Sequence, residues 1–336
     1  MDIPKGGIAF FDSGIGGLTV MADCQKYFKN EIFYYYGDNR HAPYGNLSIR
    51  KIKKYVHRAF QTFEKLNVKA VVIACNTVTA ACIEELRKEY AFPIIGAEPS
   101  VLKASRDAYK QIHSEKFYNK ARQEKRLHGS IYVLTTRRTY ESERFHALCQ
   151  NTQKRYPACN LQLFPCDELA GVIEKNILNP NFDYTAYLPK GKPRSVVLGC
   201  THYIYIKEKI EEFYRCPCVD GNDGIARRLL FLLREMELWK GENSHSALLH
   251  RENSNHFNIK TSKNQKCLTT ATTFNPKNQT NKKSTKNLLK LCRIHSSRVK
   301  GDKAATLLSK KTGNIVYFCG SSKRYNAFIS KQMFGF

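Results

Sequence analysis

No stretch of this chain approaches the roughly eighteen consecutive apolar residues that a membrane-crossing helix needs. A membrane partner is therefore not expected. The first residues, MDIPKGGIAFFDSG, lack the charged segment, apolar core and small-residue cleavage site of a secretory signal, which points to the cytoplasm. The glycine-rich turn DSGIGGLTV fits neither GxGxxG nor GxxxxGK followed by Ser or Thr, so no nucleotide site is read there. The close pair CPC at 216–218 has no second cysteine pair at ligand spacing, which leaves no metal site to expect. No cofactor is expected either. Acidic residues are few: Asp+Glu 29 against Lys+Arg 55, a formal net charge of +26.

That positive excess would suggest a nucleic-acid partner if it covered one folded face. It is concentrated instead. Residues 241–312 hold 15 Lys+Arg and 3 Asp+Glu in a stretch rich in Asn, Lys, Ser and Thr and poor in aromatics. No helix-turn-helix, RRM or zinc-finger pattern accompanies it, which favours a solvated, flexible insertion over a nucleic-acid-binding arm. The 12 cysteines suit reduced thiols, because a disulfide framework belongs to short, secreted, loop-rich chains and these lie in periodic segments. At 336 residues the chain exceeds what one hydrophobic core usually organises, so two domains are expected.

Short runs rich in Val, Ile, Phe and Tyr alternate with helical patterns, which predicts an α/β fold with mainly parallel sheets. Strands are expected at 7–12, 32–37, 70–75, 93–97, 131–135, 161–165, 195–200 and 314–319. The segment 49–66 places Ile52, Val56, Ala59, Phe60, Phe63 and Leu66 on one stripe at three- and four-residue steps, the pattern of a helix covering a sheet. Further helices are expected at 78–90, 142–149, 168–177, 224–238 and 321–332. Two stretches interrupt this rhythm, the charged 112–128 and the polar 241–312, and both read as insertions.

One device occurs twice. VVIACNT at 71–77 and VVLGCTH at 196–202 each run an apolar strand into a cysteine followed by polar side chains. Ligands of open parallel sheets bind beyond the carboxyl ends of the strands, which is where Cys75 and Cys200 are placed. Cysteine more often packs as a small hydrophobe. Position at a strand end, the polar followers and the repetition set these two apart from Cys24, Cys82, Cys149 and Cys319. Helices expected from about 78 and about 204 would put a partial positive charge near each sulfur and favour its thiolate. His202 is a proton shuttle or a cap.

Two more segments belong to the same ends. Asp12 and Ser13, in DSGIGGLTV, suit a cationic amine better than a pyrophosphate. In YYYGDNRHAPYGNLS, at 34–48, Asp38 follows a strand, and the Pro43-Tyr44-Gly45 turn sits in a loop able to close over a ligand.

Taken together, DSGIGG, YYGDNRHAPYG, ACNT, GAEPS and GCTH resemble, in order and spacing, the glutamate racemases of the cofactor-independent aspartate/glutamate racemase superfamily, over roughly residues 6–240. The resemblance implies two pseudo-symmetric α/β domains with the active site in the cleft between them. It implies interconversion of L- and D-glutamate by two opposed cysteines, matched by Cys75 and Cys200, one removing the α-proton while the other delivers a proton to the opposite face. Assisting groups are implied at Asp12, beside Cys75, and at His202 and Glu174, beside Cys200. Substrate-binding positions are implied at Asp12, Ser13, Pro43, Tyr44, Gly45, Asn76, Thr77, Thr136, Thr139, Thr201 and His202. The first domain would comprise 1–98 with 214–336, and the second 99–213. A homodimer and a role in supplying D-glutamate for bacterial peptidoglycan are implied as well.

The residue chemistry agrees, since inverting a tetrahedral carbon needs proton traffic on two faces and paired thiols provide two groups of similar proton affinity. A racemase for aspartate or another amino acid on the same scaffold is the neighbouring alternative, and a catalytically dead homologue a further one. The stretch 241–312 is foreign to the family, and its Ser-Gly-Asp step before the last helix is not intact around 320–323.

Overall fold

The computed structural model describes residues 6–28, 31–114, 130–239, 305–308 and 315–318. It contains two sheets. The first has the order β4-β3-β1-β2-β10-β9, built from β1 (Ile8–Asp12), β2 (Phe33–Gly37), β3 (Ala70–Ile73), β4 (Ile94–Gly96), β9 (Ala305–Leu308) and β10 (Ile315–Phe318). All neighbours run parallel except β9, which pairs antiparallel to β10. The second is parallel throughout, in the order β6-β5-β7-β8, from β5 (Ile131–Thr135), β6 (Leu161–Pro165), β7 (Ser195–Gly199) and β8 (Cys218–Val219). The α/β class with mainly parallel sheets flanked by helices is the one the sequence predicts.

Strand side chains alternate between faces, so a strand apolar at every position needs cover on both sides. The central strands are of that kind. In β1, Ala9 and Phe11 join Tyr34, Tyr36, Val71 and Ile73 under α2 (Ile49–Lys65) and α3 (Asn76–Glu89). Ile8 and Phe10 face the other way, with Phe33, Tyr35 and Val72, onto α1 (Leu18–Gln25) and a helix at Asn222–Glu235. The stripe predicted on α2 is buried as expected, and Ser48 caps the helix by accepting from the Lys51 amide.

The second sheet is covered in the same manner. Ile131, Val133 and Val197 pack under α4 (Val101–Ser114), and Tyr132, Leu134, Val196 and Leu198 face the opposite layer. The remaining helices of this lobe are α5 (Arg137–Tyr140), α6 (Glu143–Arg155), α7 (Leu169–Asn176) and α8 (Lys207–Tyr214), and α9 is the helix at 222–235. The chain crosses from the first sheet to the second after β4 and returns after β8, with α9 packed on α1.

Several elements differ from expectation. Residues 112–114 belong to α4, so the charged segment begins inside a helix. Strand β9, ATLL, lies within the stretch read as a polar insertion: four residues sufficient for an edge strand do not register in the average of a long polar run. The helix expected from about 204 begins at Lys207, after a 3-10 turn, as α8, while α4, α5 and the two-residue β8 carry too short or too mixed a pattern to be assigned locally. The helix expected at 321–332, the altered step at 320–323 and residues 240–304 lie outside the described residues.

Candidate active site

Every motif singled out in the sequence ends at the same level of a sheet. In the first, Asp12 closes β1 opposite Gly37, the last residue of β2, and Phe11 stands opposite Ile73, two residues before Cys75. In the second, Thr135 closes β5 opposite Gly199, directly before Cys200. The site is thus assembled from carboxyl ends of parallel strands in two lobes.

Helix α3 starts at Asn76, two residues earlier than expected, which makes Cys75 its N-cap residue and puts Asn76 and Thr77 in its first turn. Cys200 is followed by a 3-10 turn over Thr201–Ile206 before α8 begins. Both sulfurs are buried. The Cys75 thiol donates to Ser13 Oγ at 3.6 Å, and Cys200 Sγ lies 3.8 Å from His202 Nδ1. His202 Nε2 meets Glu174 Oε2 at 2.5 Å. Sulfur, imidazole and carboxylate therefore form a continuous chain on the second lobe.

Several side-chain contacts cross between the lobes, among them the Arg144–Glu84 ion pair at 2.7 Å on the outer face and the following hydrogen bonds near the two cysteines. Thr201 Oγ1 donates to Asp12 Oδ2 at 3.2 Å, and Asp12 Oδ1 accepts the Gly14 amide at 2.9 Å. The Thr77 and Thr136 hydroxyls meet at 2.9 Å, and Thr136 Oγ1 donates onward to Thr139 at 3.1 Å. The Tyr205 hydroxyl donates to Ile15 O at 2.8 Å. Asn39 Nδ2 donates to Glu174 Oε1 at 2.7 Å. The approach is close enough to demand glycine: a Cβ on Gly16 would lie 2.3 Å from Thr201 Oγ1, and one on Gly45 2.9 Å from Thr136 Cβ. Tyr44 donates to the buried Asp38 carboxylate at 2.6 Å, and Pro43 lies beside Gly171 of α7. Asn76 Oδ1 is buried with no hydrogen-bond partner among the described residues.

The family described as Asp/Glu/Hydantoin racemase matches residues 32–229. The chain belongs to that family. It is similar to the glutamate racemase of Clostridium novyi, with 38% identity over 239 residues, 68% of this chain and 84% of that one. It is similar as well to glutamate racemase 2 of Bacillus subtilis, with 33% identity over 252 residues, 70% and 86% of the respective chains. Among solved structures, Escherichia coli glutamate racemase, in complex with L-glutamate and the activator UDP-MurNAc-ala, aligns with a TM-score of 0.56 at 26% identity over 69% of this chain and 83% of that one. Isoform RacE1 of Bacillus anthracis aligns at 0.53 with 25% identity, over 69% and 82%. The protein is an amino-acid racemase, an isomerase, and no described helix is long and apolar enough to cross a membrane.

The electrostatics of this racemase act on Cys75, His202 and Asp12 in distinct ways. Burial, then the neighbouring Asp12 charge, push the Cys75 thiol up to about 12, outweighing the Ser13 hydroxyl and the Val78 amide; charge at Cys200 adds to the rise. The support expected from the α3 N-terminus does not make Cys75 a thiolate. For His202, burial of the ring opposes the charged form, but Glu174 and contact with Cys200 together overcome it and hold the imidazole well above its usual range. An imidazolium donates from both nitrogens, so its Nδ1 proton is directed at Cys200 and its Nε2 proton at Glu174. Asp12 is pushed up by burial, against His202, the Gly14 amide and the Thr201 hydroxyl; Glu174 adds to the rise.

Asn39 and Tyr205 escaped the sequence reading. Neither carries a local signal, since each acts on a residue more than a hundred positions away.

Proposed function

We propose that the chain interconverts L- and D-glutamate by transfer of the α-proton between two thiols, Cys75 and Cys200. The observation that carries this reading is their placement: each sulfur follows a strand end, one in each lobe, and the lobes are joined beside them by the Thr201–Asp12 hydrogen bond. A substrate carbon between them would meet one sulfur on each face. Burial and the Asp12 charge hold Cys75 protonated, and Cys200 has an imidazolium proton within reach. Two-base inversion requires one thiol to act as base while the other acts as acid, with the roles exchanged in the reverse direction.

The substrate ammonium, placed against Asp12, would neutralise the charge that helps to hold Cys75 protonated. Binding would thus ease the thiol toward the state it needs when it acts as the base. Asn76 Oδ1 offers a second acceptor for that ammonium, and hydroxyls of Ser13, Thr77, Thr136, Thr139 and Thr201 with nearby amides are donors for the carboxylates. Tyr44 and Gly45, with Pro43, close the first-lobe side. The names of the curated relatives support glutamate over aspartate. A cytoplasmic homodimer that supplies D-glutamate for peptidoglycan completes the reading. The lobes divide near residue 98 and, since β8 pairs with β7, near residue 219 rather than the expected 213.

Circular dichroism of L-glutamate solutions tests it. The native chain should bring the signal to zero, and Cys75→Ala or Cys200→Ala should each abolish this. Full activity in either variant defeats the two-thiol assignment, and activity confined to aspartate replaces the substrate.

A further inference from the structure

The Glu174 carboxylate is shared between lobes. Its Oε2 holds His202, on its own lobe, at 2.5 Å, while its Oε1 accepts from Asn39 Nδ2, on the other, at 2.7 Å. An ionised carboxylate only accepts, so the Asn39 amide must present its N–H, and an Asp at that position would present repulsion instead.

Asn39 is on a firm support. Its neighbour Asp38 is buried, gives its backbone amide to Asp12 O at 3.1 Å, and accepts from His41 Nδ1 at 2.9 Å and from the Tyr44 hydroxyl at 2.6 Å. The His41 ring stacks on Tyr55 with centroids 3.8 Å apart. Glu174, by contrast, reaches out from the two-turn helix α7 on a side chain with several rotatable bonds, whose ordering costs entropy. A fixed donor across the cleft restricts that side chain only while the lobes are together.

We propose that Asn39 is a positioning residue that holds Glu174 against His202, so that the Cys200–His202–Glu174 chain is complete only in the closed arrangement of the lobes. This rests on the reading of that chain as the proton relay beside Cys200. Lobe closure and readiness of one of the two thiols are then a single event, and opening the cleft to release product also releases Glu174. The groups facing His202 are Glu174 from α7, Cys200 from its own strand end and Asp12 from β1, with the Tyr35 and Tyr205 hydroxyls close to these carboxylates. Of the groups facing the ring, Glu174 alone is held by Asn39, so removing Asn39 acts on His202 through Glu174.

The test is a double-mutant cycle on the full chain with Asn39→Ala, Glu174→Gln and the pair, reading kcat/KM for glutamate and the NMR titration of the His202 ring. Asn39→Ala is expected to lose about tenfold, the size of a hydrogen bond to a charged group. It should move the His202 titration to lower pH, and it should cost nothing further in the Glu174→Gln background. Losses that multiply, an unmoved His202 titration, or undiminished activity in Asn39→Ala overturn the proposal. Undiminished activity in Glu174→Gln defeats the relay reading itself, a separate result. If Asn39→Ala does not fold, Asn39→Ser, which keeps a shorter donor, should lose several-fold alone and nothing beside Glu174→Gln, and multiplied losses there overturn the proposal equally.

Discussion

Thr201 donates its hydroxyl hydrogen to Asp12 Oδ2 at 3.2 Å, joining residues 189 positions apart from two different sheets. Asp12 is fully buried, so this donor and the Gly14 amide replace water for a carboxylate that burial penalises. The bond also fixes the residue beside Cys200 against the residue that charges the surroundings of Cys75.

Thr201→Val keeps the shape and removes the donor. A hydrogen bond to a charged group contributes about 1.5–3 kcal/mol, and leaving the carboxylate short of a partner places the loss in that range. A lower thermal midpoint together with roughly tenfold weaker kcat/KM is expected. Thermal melts and racemisation kinetics on the same preparation measure both.

His202 makes stability depend on pH with a definite sign. Its folded-state proton affinity is raised above the ordinary imidazole value of 6.5, so the stabilisation it contributes is fully present below that pH and is lost as pH rises through the raised folded value. Urea midpoints measured from neutral to alkaline pH should decline, and His202→Gln should flatten that decline while lowering activity. An identical slope in the variant assigns the dependence to other groups.

Gly16→Ala tests how closely the lobes must approach. The added Cβ would sit 2.3 Å from Thr201 Oγ1 and 3.0 Å from the His202 backbone nitrogen, the second of which is not a flexible end. Overpacking of this kind costs about 1–3 kcal/mol, and here it pushes the strand ends apart. A fall in kcat larger than the change in KM is expected, with the Thr201–Asp12 contact lengthened in a structure of the variant.

Several features were legible because they are written within about ten residues. The stripe Ile52, Val56, Ala59, Phe60, Phe63 identified α2, and the all-apolar runs around Phe10 and Val72 identified strands covered on both faces. The repeated strand-then-cysteine pattern placed Cys75 and Cys200 at carboxyl ends, since a parallel strand can only deliver the next residue there. Helix α4 and strand β8 were not legible: α4 leads into a charged stretch that read as an insertion, and β8 is two residues long.

By itself the sequence determined the longer, apolar strands and which thiols stand at their ends, because side-chain periodicity and the direction of the chain are local properties. Only the tertiary structure decided which residues meet across the lobes, Asn39 with Glu174 and Thr77 with Thr136, and that Cys75 is held protonated beside a buried Asp12. Those outcomes depend on burial and on charges brought together from distant parts of the chain, and burial exists only once both sheets are closed against their helices and each other.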